Sequence, residues 1–163
     1  SVNITRSLFE ANIAQDKLIE YNDIEKDTII QDNTFTKNRA NSLLYIDSTG
    51  HAPFHNDLLS ISMIVYNTFF DNGPIHLKSP FVTSCLHLSG SKNATIQRNI
   101  FENINYEYEF IAGLLIDSLN TTIDITLNWW GSDVYQAIQN RILDFTERAD
   151  HSLTVWNPFL ACR

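Results

Sequence analysis

A chain of 163 residues with net charge −8 and 12% aromatic residues is long enough for one packed core and too rich in large apolar side chains for disorder. Its 11 basic residues are scattered and form no stripe, which excludes a nucleic-acid surface. No apolar run reaches the ~18 residues of a membrane span; the longest, Leu58 to Phe70, is broken by Ser60, Ser62 and Asn67.

The chain opens at Ser1 with neither Met nor an apolar leader, so residues before it are expected to have been removed. From there one pattern recurs, Ile-x-x-Asn-x-aromatic. A weak first copy is Ile4-Ser7-Phe9; full copies are Ile30-Asn33-Phe35, Ile64-Asn67-Phe69, Ile96-Asn99-Phe101 and Ile125-Asn128-Trp130. They start 26, 34, 32 and 29 residues apart, the spacing of a stacked solenoid. Each unit also carries a short alternating apolar segment: Ile19/Tyr21, Leu44/Ile46, Leu86/Leu88 and Leu114/Ile116, which reads as strand. A polar break such as Ser89-Gly90-Ser91-Lys92-Asn93 follows. A second strand then ends on the motif Ile (Ala94–Gln97, Ile123–Thr126), the Asn bends the chain, and the aromatic lies inward on a third strand.

Strand, turn, strand, bend and strand make one coil of a parallel β-helix. Stacked coils lay like side chains over like. Ile30, Ile64, Ile96 and Ile125 predict one interior column, and Phe35, Phe69, Phe101 and Trp130 a second. Asn33, Asn67, Asn99 and Asn128 predict a third, with amides bonding from coil to coil. A turn needs Asn anywhere, whereas a ladder needs it in register. With 17 Asn and five Gly, Asn is also expected to occupy left-handed corners. Coil lengths vary through loops such as 48–57 and 106–110, at little entropic cost.

Residues 1–131 are therefore read as coils and 132–163 as a C-terminal cap over the open sheet edge. Ser132 or Asp133 is the expected N-cap of a helix over about 133–147, from the spacing of Val134, Ile138, Ile142 and Phe145. A strand near Leu153–Trp156 and a returning Pro158-Phe159-Leu160 complete the cap. The N-terminal end shows no such cover, so more coils or a partner segment are expected there.

Cys85 and Cys162 fit neither a metal cluster nor a redox pair. Two buried thiols is one reading. The other is a disulfide, since Cys85 precedes the inward Leu86 and should face out, where a returning tail would bring Cys162; such a bond would stabilise by roughly 4 kcal/mol. Three sequons begin at Asn3, Asn93 and Asn120; in an Asn-rich chain their number means little, but Asn93 and Asn120 fall in predicted turns, where a glycan fits.

Polysaccharide lyases and hydrolases need clustered carboxylates, with Lys or Arg for the former. Stacked positions here do not repeat acids: the residue before the motif Asn is Asp32, Tyr66, Arg98 and Leu127. Asp47 and Asp117 occupy equivalent places, but Ser89 stands between them. His51 and His55 flank Pro53 in a loop and make no zinc pair, while His76, His87 and His151 are isolated. Trp129, Trp130 and Trp156 read as core and cap before they read as a sugar platform. Catalysis is not expected, and neither is a cofactor or a metal.

The repeats resemble the right-handed parallel β-helix repeats of many secreted and surface proteins. The closing segment is more specific. Asn128-Trp129-Trp130-Gly131, Ala137-Ile138-Gln139-Asn140-Arg141-Ile142-Leu143-Asp144, Ser152-Leu153-Thr154-Val155 and Asn157-Pro158-Phe159-Leu160 resemble the end of a β-helix module in the Bark beetle (Anakonda) proteins of animal epithelia. The link Glu147-Arg148-Ala149-Asp150-His151 departs from the run of acids and Pro usual there. The resemblance implies an all-β, right-handed parallel β-helix with a capping helix. It also implies an extracellular, non-catalytic module of a large single-pass membrane protein, acting in cell adhesion and in septate and tricellular junctions. Its partners would be other extracellular domains of the same or another adhesion protein, with self-association, and no direct membrane insertion of this part. The alternative reading is a β-helix that binds or cleaves carbohydrate.

Overall fold

The computed structural model describes residues 2–22, 27–47, 61–77, 80–89, 93–103, 105–113, 122–149 and 151–162. The expected Leu114/Ile116 strand and 48–57 loop, His51, His55, Asp117 and Asn120 lie outside the described residues.

Each coil contributes one strand to each of three sheets. The first coil holds β1 (Val2–Thr5), β2 (Leu8–Glu10) and β3 (Lys17–Asn22). The second holds β4 (Thr28–Gln31), β5 (Thr34–Thr36) and β6 (Ser42–Asp47), and the third β7 (Ile61–Val65), β8 (Thr68–Phe70) and β9 (Ser84–Ser89). The fourth holds β10 (Asn93–Gln97), β11 (Ile100–Glu102) and β12 (Tyr108–Ala112). After it come β13 (Thr122–Asp124), a helix α1 (Tyr135–Gln139), β14 (Ile142–Leu143) and β15 (Leu153–Val155). The sheets run β1-β4-β7-β10-β13-β15, β2-β5-β8-β11 and β3-β6-β9-β12-β14, and every pairing is parallel. Among the described residues this is an all-β parallel solenoid with one short helix.

The register puts Ile4, Ile30, Ile64 and Ile96 opposite one another, and likewise Phe9, Phe35, Phe69 and Phe101. Neighbouring rings from Phe9 through Phe35, Phe69 and Phe101 to Trp130 lie 4.6–5.0 Å apart and within 10° of parallel. That spacing is the strand separation itself, so the backbone ladder dictates the stack. Phe35, Phe69, Phe101 and Trp130 are fully buried, and each contributes about 1.5–3 kcal/mol through burial.

Several expectations are corrected. Residues 108–110 are strand and not loop: β12 pairs Phe110 with Leu86 and Ala112 with Leu88. In the column of Asp47 and Ser89 the next position is taken by Gly113, whose N–H donates to Leu88 O. The helix is five residues long and not about fifteen. Ile142 and Leu143 leave it to pair with Phe110 and Ile111 and become almost fully buried, whereas on a continued helix Phe145 would lie on the same face; it is 47% exposed. The spacing that looked helical is partly a strand of the third sheet. Neither Ser132 nor Asp133 caps the helix: Val134 is the N-cap, without a side-chain bond, and the Ser132 hydroxyl accepts from the Val134 N–H. Because β14 and β15 extend two sheets, the 132–163 segment adds further strands to the stack as well as α1. Its tail does pack back: Leu127 N donates to Pro158 O at 2.7 Å and Leu160 N to Asn128 O at 3.0 Å, beyond a cis Asn157–Pro158 bond.

Candidate functional site

The interior is organised by a column of amides. Asn33 donates from its backbone N and its Nδ2 to Asn67 Oδ1, both at 3.0 Å. Asn67 does the same to Asn99 at 2.9 and 3.0 Å, and Asn99 to Asn128 at 2.9 and 3.1 Å. Each Nδ2 also donates backwards, to Ile4 O, Ile30 O, Ile64 O and Ile96 O in turn, at 2.7–2.9 Å. All four Asn are buried. In low dielectric such a satisfied chain is strong, and a gap in it is costly.

A second column runs beside it, and sequence reasoning missed it. Asn12 donates twice to Asn38 Oδ1, Asn38 twice to Asn72 and Asn72 twice to Asn103, at 2.9–3.0 Å. The signal was present: an Asn follows the motif Asn by five residues at Asn38 and Asn72, and by four at Asn103. These Asn lie beyond the aromatic that closes the repeated motif. This column ends on a charge. Asn103 N donates to Glu109 Oε1 at 2.8 Å and Asn103 Nδ2 to Oε2 at 2.9 Å, while Arg141 Nη2 bonds both Glu109 and Asn103 O. Glu109 is fully buried, and burial pushes its carboxyl up against the opposing pull of Arg141 and of the Asn103 bonds.

The left-handed corners correct a further expectation, that Asn would occupy them. Among the described residues the non-glycine residues with φ between 51° and 58° are Arg6, Ala11, Asp32, Lys37, Tyr66, Asp71, Arg98 and Leu127. Each directly precedes a column member: Ser7, Asn12, Asn33, Asn38, Asn67, Asn72, Asn99 and Asn128. The strained residue turns the corner outward, and the Asn after it is delivered inward. Each corner costs roughly 1–2 kcal/mol in a non-glycine residue, which the column's bonds offset.

The expected disulfide is not formed in the structure. Cys85 is a fully buried free thiol and Cys162 an exposed one. Leu43 and Leu44, and Cys85 and Leu86, all belong to the core, and the pairing of β6 with β9 steps from Ser42–Ser84 to Leu44–Leu86. Strict alternation thus breaks at this place, and both residues turn in. Burial, then the charge of Glu109, raises the Cys85 thiol well above its ordinary range.

Asn3 is exposed on β1, whereas Asn93 opens strand β10, opposite Ile61, and does not sit in a turn. His76 lines a groove of about 500 Å³ with Asp16, Asn41, Ile75, Pro80 and Phe81. His87 packs edge-on against Tyr45, and burial together with nearby His151 lowers it to about 4. Trp129 Nε1 donates to Glu102 Oε1 at 2.9 Å, Trp156 packs on Tyr135 and Phe159, and buried Trp130 Nε1 has no partner among the described residues. Among the described residues no group of three His, Cys, Asp or Glu could hold a metal, and no helix is long and apolar enough to cross a membrane.

These features define a parallel β-solenoid whose buried asparagine side chains serve the stack. The chain is similar to Protein bark beetle of Drosophila melanogaster, with 24% identity over 175 aligned positions covering 97% of this chain. That match supports a relation to that protein, of whose length the chain spans 6%. No family model and no solved structure matches the chain.

Proposed function

We propose that this chain is a right-handed, non-catalytic β-helix module of an extracellular adhesion protein, one of the large membrane proteins that build septate and tricellular junctions. The observation that carries the reading is the pair of amide columns: the buried asparagine side chains are committed to coil-to-coil bonds, which makes a stiff spacer. Buried Asp144 is likewise held, by Thr146 and Thr154. The near-complete coverage by Protein bark beetle and the resemblance of residues 128–160 support the junction assignment. Right-handed winding follows the crossover rule for parallel strands, obeyed in about 98% of cases. Glycans belong at Asn3, Asn93 and Asn120, and partners are other extracellular domains, of a second copy or of a different adhesion protein.

The test uses protein secreted by animal cells. Intact mass should fall on N-glycosidase treatment, beads coated with the protein should cluster or bind junction-forming cells, and no polysaccharide of a broad panel should lose chain length. A bare-chain mass from secreted material, together with inert beads, would discredit the module reading.

One observation favours the alternative of carbohydrate binding. The Phe81 ring is 68% exposed beside Asp16, Asn41 and His76, an apolar face with polar groups at its rim. Binding on a glycan array that Phe81→Ala abolishes would establish it; an array blank for both proteins dismisses it.

A further inference from the structure

The second amide column holds a residue pair whose own chemistry the column keeps shut. Of the chain's 17 Asn, Asn72 alone precedes a Gly. Asn is a thermolabile residue, and an unfolded Asn-Gly pair is the readiest to modify itself, because no side chain on the second residue shields its backbone nitrogen. The other Asn of the two columns precede Ile, Thr, Arg or Trp, whose side chains crowd that nitrogen. Packing dictates the glycine: a Cβ on Gly73 would lie 2.7 Å from Asn105 Cβ. The labile pair is therefore built into the winding, and the column restrains it. Asn72 Oδ1 accepts from Asn38 N at 3.0 Å and from Asn38 Nδ2 at 2.9 Å. Asn72 Nδ2 donates to Phe35 O and to Asn103 Oδ1, both at 2.9 Å. The Gly73 N–H donates to Asn38 O at 3.1 Å. Asn72 is fully buried and Gly73 is buried beside it, so water does not reach the pair.

We propose that Asn72–Gly73 is a self-modification site gated by the second amide column, which turns a transient opening of the third coil into a permanent gap. When the coil opens, Gly73 N attacks Asn72 Cγ. The new N–C bond closes a five-membered succinimide, the Cγ–Nδ2 bond breaks, and Nδ2 leaves as ammonia with the proton from Gly73 N. Water then opens the ring. Attack at the side-chain carbonyl gives Asp at 72, and attack at the backbone carbonyl gives isoAsp, with the main chain rerouted through Cβ. Neither product restores the column. Asp lacks the Nδ2 that serves Phe35 O and Asn103 Oδ1, and isoAsp adds a carbon to the backbone where Gly73 must meet Asn38 O. The reaction is slow against reclosing, so its rate follows the population of the open coil. The bonds that hold the coils in register thereby also set the chemical lifetime of the chain.

The experiment incubates the intact protein at mildly alkaline pH, folded and in guanidinium chloride, and reads Asp and isoAsp at position 72 by peptide mapping. In denaturant Asn72 should convert ahead of the other Asn; in the folded protein it should convert more slowly by about thirtyfold or more, and a smaller ratio overturns the gate. Asn38→Ala removes the Nδ2 donor to Asn72 Oδ1 and should speed conversion in the folded state about tenfold, with circular dichroism confirming that the sheets persist. Guanidinium below the unfolding midpoint gives the same readout on the parent, without a substitution. An unchanged rate in both would show that the column is not the gate. After removal of denaturant, chains converted at 72 should unfold at lower guanidinium than unconverted chains from the same sample; recovery of the parental midpoint would overturn the permanent gap.

Discussion

Replacing Asn67 by Ala removes one rung from the middle of the buried column, and the cost follows from the bonds it makes. Its Oδ1 accepts from Asn33 N and Nδ2, and its Nδ2 donates to Ile30 O, Val65 O and Asn99 Oδ1, all at 2.8–3.0 Å. Val65 O keeps Asp32 N, and Asn99 Oδ1 keeps Asn67 N, so these are not orphaned. Asn33 N, in a residue 1% exposed, loses its partner. One orphaned buried donor costs about 1–3 kcal/mol, and the four further bonds about 0.5 kcal/mol each, the low end of the range for a net hydrogen bond, giving about 3–5 kcal/mol for Asn67→Ala. The same change at Asn12, on the open end, removes one exposed-side bond and should cost about 1 kcal/mol or less. Urea unfolding followed by tryptophan fluorescence measures both, at unchanged slope. Asn67→Asp separates hydrogen bonding from packing. It keeps the shape and one acceptor but aims a second oxygen at three acceptors. A carboxyl there should titrate above its unfolded value, so its deficit relative to the parent should shrink as pH falls through that raised pKa toward the unfolded value of about 4. If Asn67→Ala matched Asn12→Ala, or if the Asp deficit did not depend on pH, the columns would not be what holds the coils in register.

The other predictions concern single groups. The fold lowers His87 to about 4, so it binds the neutral ring; stability from this group is complete above about 6.5 and is lost as pH falls to about 4, by about 2–3 kcal/mol after allowing for partial exposure. Chemical unfolding at pH 7 and pH 4 should show this loss in the parent and not in His87→Phe. Leu127, at φ 57°, should accept Asn with a gain of about 0.5–1 kcal/mol and Val with a loss of similar size or more, read as opposite shifts in Tm. A thiol reagent should titrate Cys162 in the native protein and Cys85 only on unfolding; rapid modification of both would contradict the buried placement. Glu109→Gln leaves Arg141 without its carboxylate and should cost about 2–4 kcal/mol, which calorimetry would detect as a lower Tm.

The repeat was legible because its chemistry is periodic. Register between parallel coils demands the same residue at the same place, and Ile30, Asn33 and Phe35 return often enough to be seen without coordinates. The second column was equally periodic but sat five residues later, and Asn103, one residue out of step, blurred it. What could not be read was the behaviour of residues whose neighbours come from elsewhere in the chain. Cys85 looked outward by alternation, and only the inward turn of two consecutive residues at Leu43–Leu44 and Cys85–Leu86 buries it. Glu109 looked like a loop acid, and only Asn103 and Arg141, brought to it by the winding, explain a buried carboxylate. Ile138 and Ile142 share a helical spacing, yet one lies on α1 and the other pairs with Phe110, because an edge strand gains more from a sheet partner than a short helix gains from another turn.

The corner residues show how such a stack can diverge without unfolding. Asp32, Tyr66, Arg98 and Leu127 share one backbone conformation and one place in the coil, yet span an acid, a phenol, a base and an alkyl group. The conformation is imposed by the Asn that follows and not by the corner residue, so the side chain there is free to vary. Arg98 already uses this freedom, donating to the Tyr66 hydroxyl at 2.6 Å and lying over its ring. A relative 24% identical over nearly the whole chain is compatible with a fold of this kind, because the columns need few residue types and the outward positions need none in particular. Recognition differences between related modules should therefore be written in the corner and outward strand positions. If the proposed adhesion role holds, exchanging outward strand residues, and corner residues for others that are not β-branched, between related chains should transfer partner preference while leaving stability within about 1 kcal/mol of the parent; a β-branched residue at a corner should cost more.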